Sequence, residues 1–211
     1  MIDLDKYQAS KKVPTQTRGK ERVRQILLAA SKLFAERGVA SVTTNDIADR
    51  AQMPIGSVYS YYEDKNAIIA ALDELYHTEL IDIIDQLSDN PMLKHMNEFE
   101  VATIVINFWS YYLENNNPLS YVMYARIEPS LREVASTQQN RLQQAFCRLL
   151  HTKEPDRKHS LEPGSPCTLI LLQAMMIVET SDMLYRSDHA ARQKFIDKAI
   201  LPYCSFVETL R

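Results

Sequence analysis

A short segment over residues 54–62, PIGSVYSYY, places hydroxyl-bearing side chains and a glycine near the start of a predicted helix. Backbone N–H groups and the positive end of the helix dipole favour phosphate at such a terminus. Gly56 has no Cβ, so another molecule could approach the backbone closely there. Tyr59 and Ser60 carry hydroxyls that suit phosphate oxygens, and Ser57 could bond a base edge. This combination predicts contact with a nucleic acid.

Apolar periodicity predicts the helix that precedes this segment. Residues at spacings of three and four define one buried face: Val23, Ile26, Leu27, Ala30, Leu33 and Phe34. The helix is expected to begin near Arg18 and to end before Gly38, because glycine readily adopts the left-handed conformation of a C-terminal cap.

Local capping signals predict the next three helices. Thr43 and Asp46 have the spacing of a capping box, which opens a short second helix. Pro54 suits the first turn of a third helix that runs to about residue 61, and Asp64 can cap a fourth helix that begins at Lys65. Two short helices joined by a tight turn against a longer first helix form a helix-turn-helix unit. Because such pairs are common in all-α proteins, the periodicity alone leaves a DNA-binding role and a purely structural role open.

Three linked motifs make the sequence more specific. The first helix ends in LFAERG, the second opens with TTNDIA, and the segment GSVYSYY is followed by Lys65. With these motifs, residues 18–72 resemble the N-terminal domain of the tetracycline-repressor (TetR) family of transcriptional regulators. The resemblance implies an all-α fold in which an N-terminal three-helix helix-turn-helix DNA-binding domain is followed by a larger helical-bundle domain for ligand binding and dimerisation.

The resemblance also implies a function. It indicates a ligand-responsive transcriptional regulator that acts as a repressor, binds a palindromic double-stranded DNA operator as a homodimer and is released by a small-molecule effector. The expected domains are a flexible basic arm over residues 1–17, the DNA-binding domain over 18–65 and the regulatory and dimerisation domain over 66–211. Enzymatic activity, a cofactor and a membrane partner are not implied.

The helix that starts at Pro54 would be the recognition helix. The residues implied as DNA contacts lie on the first helix, at the start of the second, on the recognition helix and at the start of the fourth: Arg18, Arg22, Thr43, Thr44, Asn45, Ile55, Gly56, Ser57, Tyr59, Ser60, Tyr61 and Lys65. Thr43 is expected to cap its helix as well, and for Tyr61 a core position and a DNA contact are equally open. Ile55 departs from the polar or basic residue common in the family; it cannot hydrogen-bond a guanine edge but could pack on a thymine methyl.

The rest of the chain predicts a helical bundle. Helices are expected over residues 66–88, 98–114, 119–127, 130–151, 166–186 and 189–209, with a polar loop over 153–166. The helix over 166–186 is too apolar for a one-sided surface helix, so it must lie in the core or at a subunit interface. The family's last two helices form the dimer interface, which implies a homodimer through residues 166–209.

By the same resemblance, the bundle should hold an effector. The candidate lining residues are mostly aromatic residues and methionines, which form adaptable apolar walls: Phe108, Trp109, Tyr112, Tyr121, Met123, Tyr124, Met175, Met176 and Glu179. Aromatic residues and methionines at helical spacing more often belong to the hydrophobic core, and a purely structural role stays open for each of these residues. Glu179 is either a polar anchor for the ligand or an interface residue, with the interface slightly favoured.

The composition argues against several other classes of protein. The four glycines are too scattered for a phosphate-binding loop, and three widely spaced cysteines suit reduced thiols in a cytoplasmic protein. No catalytic constellation stands out, and Cys147 with His151 is better explained as a chance pair than as a metal site. The second hypothesis is an all-helical enzyme or small-molecule-binding protein with a vestigial DNA-binding head. A pure dimerisation scaffold would leave the GSVYSYY segment unexplained.

The charge is unevenly distributed along the chain. The net charge is −3, yet residues 1–65 contain eleven basic and eight acidic side chains while the remainder contains thirteen and nineteen. Seven of the basic residues lie between Lys6 and Arg24. A basic head on an acidic body would orient the head toward DNA.

Overall fold

A computed structural model describes residues 17–96, 98–116, 119–153, 166–185 and 187–209. Every regular element in these ranges is helical, as predicted. The helices are α1 (Thr17–Arg37), α2 (Thr44–Arg50), α3 (Ile55–Tyr59), α4 (Lys65–Ser88), α5 (Glu98–Asn116), α6 (Leu119–Ile127), α7 (Arg132–Lys153), α8 (Pro166–Tyr185) and α9 (His189–Thr209). Short 3₁₀ turns occur at Val39–Ser41 and Pro91–His95. The predicted arm over residues 1–17 and the predicted loop over 153–166 lie outside the described residues, apart from their ends.

The predicted helix boundaries at the start of the chain are confirmed by their caps. Gly38 ends α1 with φ +75°, and its N–H donates to the Phe34 carbonyl at 2.9 Å. Thr43 and Asp46 form the predicted capping box at the start of α2. The Asp64 carboxylate accepts from the Ala67 N–H at 2.8 Å and so caps α4. Each cap satisfies backbone groups that a helix end would otherwise leave exposed.

The described part of the chain divides into two compact units. The first unit contains residues 17–79 and 119–139, and the second contains residues 80–96, 98–116, 140–153, 166–185 and 187–209. This division differs from the predicted domain boundary between residues 65 and 66, because α4 continues without a break through Glu79 and because α6 packs on α1. The extra helix in the first unit comes from a part of the chain that carries no sequence motif.

The first unit has one apolar core. In α1 the predicted periodic residues are all buried, and α2 and α3 cover them with Ile47 and Val58. Tyr62, after α3, and Ile68, in α4, are also fully buried. Burial of side chains of this size contributes about 1.5–3 kcal/mol each, so the core holds the two short helices that could not persist alone.

The second unit is built around α5, α8 and α9, which pack on one another. Trp109, Val178 and Ile196 are buried representatives of the three helices. In α7, Cys147 is disulfide-bonded, so the expectation of reduced thiols is wrong for this residue. Sequence spacing could not reveal this bond because disulfide formation depends on how close two cysteines lie in the folded chain. None of the described helices is long and apolar enough to cross a membrane.

Candidate nucleic-acid interface

Helix α3 is attached to the first unit by its inward side chains. Val58 is completely buried and Tyr62, just after the helix, is 1% exposed. Pro54 precedes the first turn, and its carbonyl accepts from the Ser57 N–H at 2.8 Å. Because α3 has only five residues, this anchoring and not its own hydrogen bonds must set its orientation.

The opposite side of α3 faces solvent. Tyr59 is 50% exposed, and Gly56 and Ser60 are also exposed. Ile55 and Ser57 are half-buried. The Ser60 hydroxyl donates to the Ser57 carbonyl at 2.7 Å, so that hydroxyl is partly engaged within the turn. The structure thus brings these five predicted DNA contacts together on one short helix and its C-terminal cap.

Gly56 is not required by the conformation or packing of the chain. A Cβ built at this position meets no other atom within 4 Å, and the backbone is not left-handed there. Glycine within a helix costs about 0.5–1 kcal/mol relative to alanine because it loses more backbone entropy. A glycine that the isolated chain does not need is consistent with close approach by an outside molecule.

The start of α2 supplies the second predicted group of contacts. Thr43 and Asn45 are exposed and Thr44 is half-buried. The Thr43 hydroxyl accepts from the Asp46 N–H at 3.2 Å and donates to the Asp46 carboxylate. This hydroxyl bond, with the bond from the Thr43 N–H, lowers the pKa of Asp46. Thr43 therefore caps α2, as predicted, and its second predicted role at a phosphate stays a prediction.

Lys65 has a different environment from the one its predicted role suggests. Its side-chain ammonium group donates to the carbonyls of Val39 and Val42, each at 2.9 Å, and the residue is half-buried. These bonds tie the start of α4 to the turn between α1 and α2. A direct contact of Lys65 with DNA stays a prediction, whereas its contact with the scaffold is observed.

Cationic side chains line part of the first unit. Arg18 and Arg22 are exposed on α1. Other arginines are paired: Arg24 with Glu21 at 2.7 Å, and Arg50 with Glu36 at 2.7 Å. These exposed ion pairs lower the pKa of Glu21 and Glu36 through the hydrogen bonds that the guanidinium groups donate. Tyr61, the remaining predicted contact, is half-buried, which agrees with neither a pure core nor a pure surface position.

The predicted effector-binding residues fall into both units. Tyr121, Met123 and Tyr124 belong to the first unit, and the other six belong to the second. Tyr121, Trp109 and Met175 are buried, Met123 and Met176 are 44% and 66% exposed, and the rest are half-buried: Phe108, Tyr112, Tyr124 and Glu179. Burial raises the pKa of Tyr121, and a hydrogen bond with Ser31 of α1 opposes this shift. A role in ligand binding stays a prediction for all nine.

The first unit also contains a buried cluster of titratable residues that the sequence did not predict. Asp73 and His77 of α4 are each 1% exposed, and the His77 Nδ1 atom lies 3.5 Å from the Asp73 carboxylate. Neither carboxylate oxygen of Asp73 has a hydrogen-bond partner among the described residues. Burial raises the pKa of Asp73 to about 7, opposed by Arg126 of α6 and supported by Glu74. The four-residue spacing was the available signal, but it did not show that Arg126 of α6 lies close enough to act on the Asp73 carboxylate.

Comparison with known proteins agrees with the helix-turn-helix geometry. Residues 26–72 match the family model of bacterial regulatory proteins of the tetR family. The HTH-type transcriptional regulator HbdR of Aromatoleum sp. strain CIB is 36% identical over 69 residues, 32% of this chain and 30% of HbdR. The HTH-type transcriptional repressor Rv3405c of Mycobacterium tuberculosis is 37% identical over 89 residues, 37% of this chain and 46% of that protein. The matched part of the chain thus spans 30% of the length of HbdR and 46% of the length of Rv3405c.

Solved structures share the fold along most of the chain. A putative TetR-family regulator from Mesorhizobium loti matches with a TM-score of 0.70 at 15% identity, covering 92% of this chain and 98% of that one. FadR from Bacillus subtilis, solved with stearoyl-CoA, matches with a TM-score of 0.64 at 18% identity, covering 89% and 96%. At such identities the likeness concerns the fold alone. Residues 26–72 of this chain are therefore similar to bacterial regulatory proteins of the tetR family, and the chain shares the fold of solved proteins described as regulators of that family.

Proposed function

We propose that this protein is a ligand-responsive, DNA-binding transcriptional regulator that represses from a palindromic operator as a homodimer and is released by a small-molecule effector. The observation that carries the proposal is the two-sided construction of α3. Val58 and Tyr62 fasten it to the core, while Gly56, Tyr59 and Ser60 face solvent. Because a Cβ at Gly56 would meet no other atom, this outer face leaves room for close approach by another molecule.

DNA binding by this face follows from the chemistry of the exposed groups. In a helix-turn-helix unit the second short helix enters the major groove and the first crosses the backbone. The exposed hydroxyl of Tyr59 can donate to a phosphate oxygen, and Arg18 and Arg22 add positive charge on α1. These contacts would position the protein on the duplex without specifying its sequence.

Exposed apolar side chains support dimerisation through α8 and α9. Leu172, Met176 and Met183 follow one another at helical spacing on α8 and are 45%, 66% and 69% exposed. Leu184 of α8 at 58% and Leu201 of α9 at 63% are further exposed apolar side chains on these two helices. Exposed apolar residues grouped in this way mark interaction surfaces, and a two-fold dimer would present two recognition helices to a palindromic site. We therefore place the interface on residues 166–209.

Fold relatives support an effector with a substantial apolar part. One of them is FadR from Bacillus subtilis in complex with stearoyl-CoA, and another is SmeT in complex with triclosan, matched with a TM-score of 0.61 at 18% identity over 86% of this chain and 91% of that one. For this chain we propose an apolar or amphipathic effector bound in the second unit, near Trp109 and Met175. Binding of the effector would favour a conformation of the protein that has a lower affinity for the operator.

The decisive experiment measures binding of the full chain to the DNA upstream of its own coding region. Fluorescence anisotropy would compare that duplex with a shuffled duplex of equal composition, at several salt concentrations. Tyr59→Ala should weaken binding by about tenfold, since it removes a phosphate donor and its contact area. Tyr111→Ala is the matched control, because Tyr111 is 63% exposed but lies on α5. Equal affinity for the two duplexes would refute the proposal and favour a small-molecule-binding protein with a vestigial head.

A further inference from the structure

The surface of α3 lacks the groups that usually read guanine. Residues 51–62 contain no charged side chain. The nearest preceding cation, Arg50, directs both terminal guanidinium nitrogens to Glu36, at 2.7 and 3.2 Å. Bidentate recognition of guanine needs an arginine or lysine. The amide of Gln52 lies in the turn before α3, and the Ser60 hydroxyl is engaged with the Ser57 carbonyl. The charged side chains that read guanine bidentately are therefore absent from α3, which leaves the Ser57 hydroxyl and the apolar side chain of Ile55 as the groups near its start that could meet a base edge.

Ile55 is placed to make such a contact. It is the first residue of α3 and is half-buried, whereas Val58 and Tyr62 provide the inward anchors. The first residues of a recognition helix are those that meet base edges. A β-branched side chain is stiff about χ1, so its methyl groups keep a defined position. Next to it, Gly56 presents open space where a side chain would otherwise stand.

We propose that Ile55 determines operator specificity by packing against the C5-methyl group of a thymine in each half-site, with Gly56 providing the clearance for this approach. The proposal rests on the DNA-binding function proposed above. The thymine methyl is the apolar group that the major groove offers and an aliphatic side chain recognises. At this position the protein would then recognise the base by the shape and the methyl group of thymine, and not by a hydrogen bond.

Uracil substitution provides the test, because uracil is thymine without the methyl group. Binding sites are first selected from a random duplex library with the full chain. Each thymine of the preferred site is then replaced in turn by uracil, at symmetric positions in both half-sites. We expect one position where each replacement weakens binding about fourfold, the value of one buried methyl group. At that position, 5-methylcytosine should bind better than cytosine.

Variants assign the methyl effect to Ile55. In Ile55→Ala the uracil penalty should vanish, while Ile55→Val, which keeps a branched side chain, should retain it. Ile127→Ala is the control, since Ile127 is 71% exposed on α6. In this variant, uracil should weaken binding as much as it does in the unaltered protein.

The outcomes separate the two proposals. If no uracil position changes the affinity by more than twofold, or if the penalty persists in Ile55→Ala, methyl recognition by Ile55 is wrong and DNA binding stands. If selection yields no preferred sequence at all, the proposed function itself fails.

Discussion

The ammonium group of Lys65, at the start of α4, donates a 2.9 Å hydrogen bond to the carbonyl oxygen of Val42, just before α2. The same group donates to the carbonyl of Val39. The two bonds join the long helix α4 to the turn that orients the helix-turn-helix unit. A lysine expected at the DNA therefore also belongs to the framework that presents the recognition helix.

Replacement of Lys65 should destabilise the protein irrespective of DNA. Lys65→Met keeps the aliphatic stem but leaves two carbonyls without their donor, at an expected cost of about 1–3 kcal/mol in the free energy of unfolding. Urea denaturation measures this cost. Lys32→Met is the control, because Lys32 is exposed on α1. Equal stability of the two variants would contradict a framework role for Lys65.

The two glycines of the first unit should respond in opposite ways to alanine. Gly38→Ala should destabilise the protein by about 1–2 kcal/mol because φ is +75° there. Gly56→Ala should leave the stability unchanged or raise it by about 0.5 kcal/mol, since the backbone is not left-handed and the space is open. DNA affinity should nevertheless fall in Gly56→Ala. Thermal denaturation and anisotropy measure the two effects, and unaltered affinity in Gly56→Ala would argue against close approach at this residue.

Asp73 predicts a pH dependence of stability. Its pKa rises from 3.8 to about 7 on folding, so the folded state retains the proton longer than the unfolded state does. Stability contributed by this group is therefore present at low pH and declines as the pH rises from about 4 to about 7, by up to about 1.4 kcal/mol per pH unit. Asp73→Asn, which does not titrate, should gain stability relative to the unaltered protein as the pH rises.

Denaturation at pH 5 and pH 8 measures this difference. Arg126, Glu74 and His77 surround Asp73 in both proteins, so the comparison between them isolates the carboxylate. Asp89→Asn serves as a control at an exposed position of the chain. A stability gain in Asp73→Asn that is no larger at pH 8 than at pH 5 would contradict the prediction.

The buried pair of Arg192 and Asp182 should matter far more than an exposed pair. Both side chains are 2% exposed, with 3.2 Å between nitrogen and oxygen, and Arg192 also donates to the Ser110 carbonyl at 2.8 Å. Arg192→Met removes a cation from beside the buried Asp182 carboxylate and should cost about 3–5 kcal/mol. Arg24→Met, which breaks the shorter but exposed pair with Glu21, should have little effect. Denaturation in guanidinium chloride measures the free energy of unfolding of both variants. Similar losses of stability in Arg192→Met and Arg24→Met would contradict a decisive effect of burial.

A charge on the exposed face of α8 should prevent dimerisation. Met176→Glu and Met183→Glu each place a carboxylate in the proposed interface, where its desolvation is unfavourable. Light scattering should show monomers, and DNA affinity should fall because the two heads are no longer linked. Met92→Glu is the control, since Met92 is 72% exposed outside this face. A dimer that persists in both α8 variants would place the interface elsewhere.

The sequence by itself determined the features that depend on near neighbours in the chain. Gly38, the Thr43–Asp46 capping box and Asp64 mark helix ends through contacts that span three or four residues. These signals were enough to predict the first four helices, including the position of α3.

Only the tertiary structure decided which distant groups meet. It assigned the Lys65 ammonium to two carbonyls more than twenty residues away, buried Asp73 within reach of the charge of Arg126, and paired Arg192 with Asp182. A periodic pattern shows that one face of a helix is buried. It does not show which helix packs against that face or which charged side chains that helix carries. Burial and charge pairing are properties of the assembled core, and for that reason the stability of this protein and the electrostatics around α4 could not be derived from spacing alone.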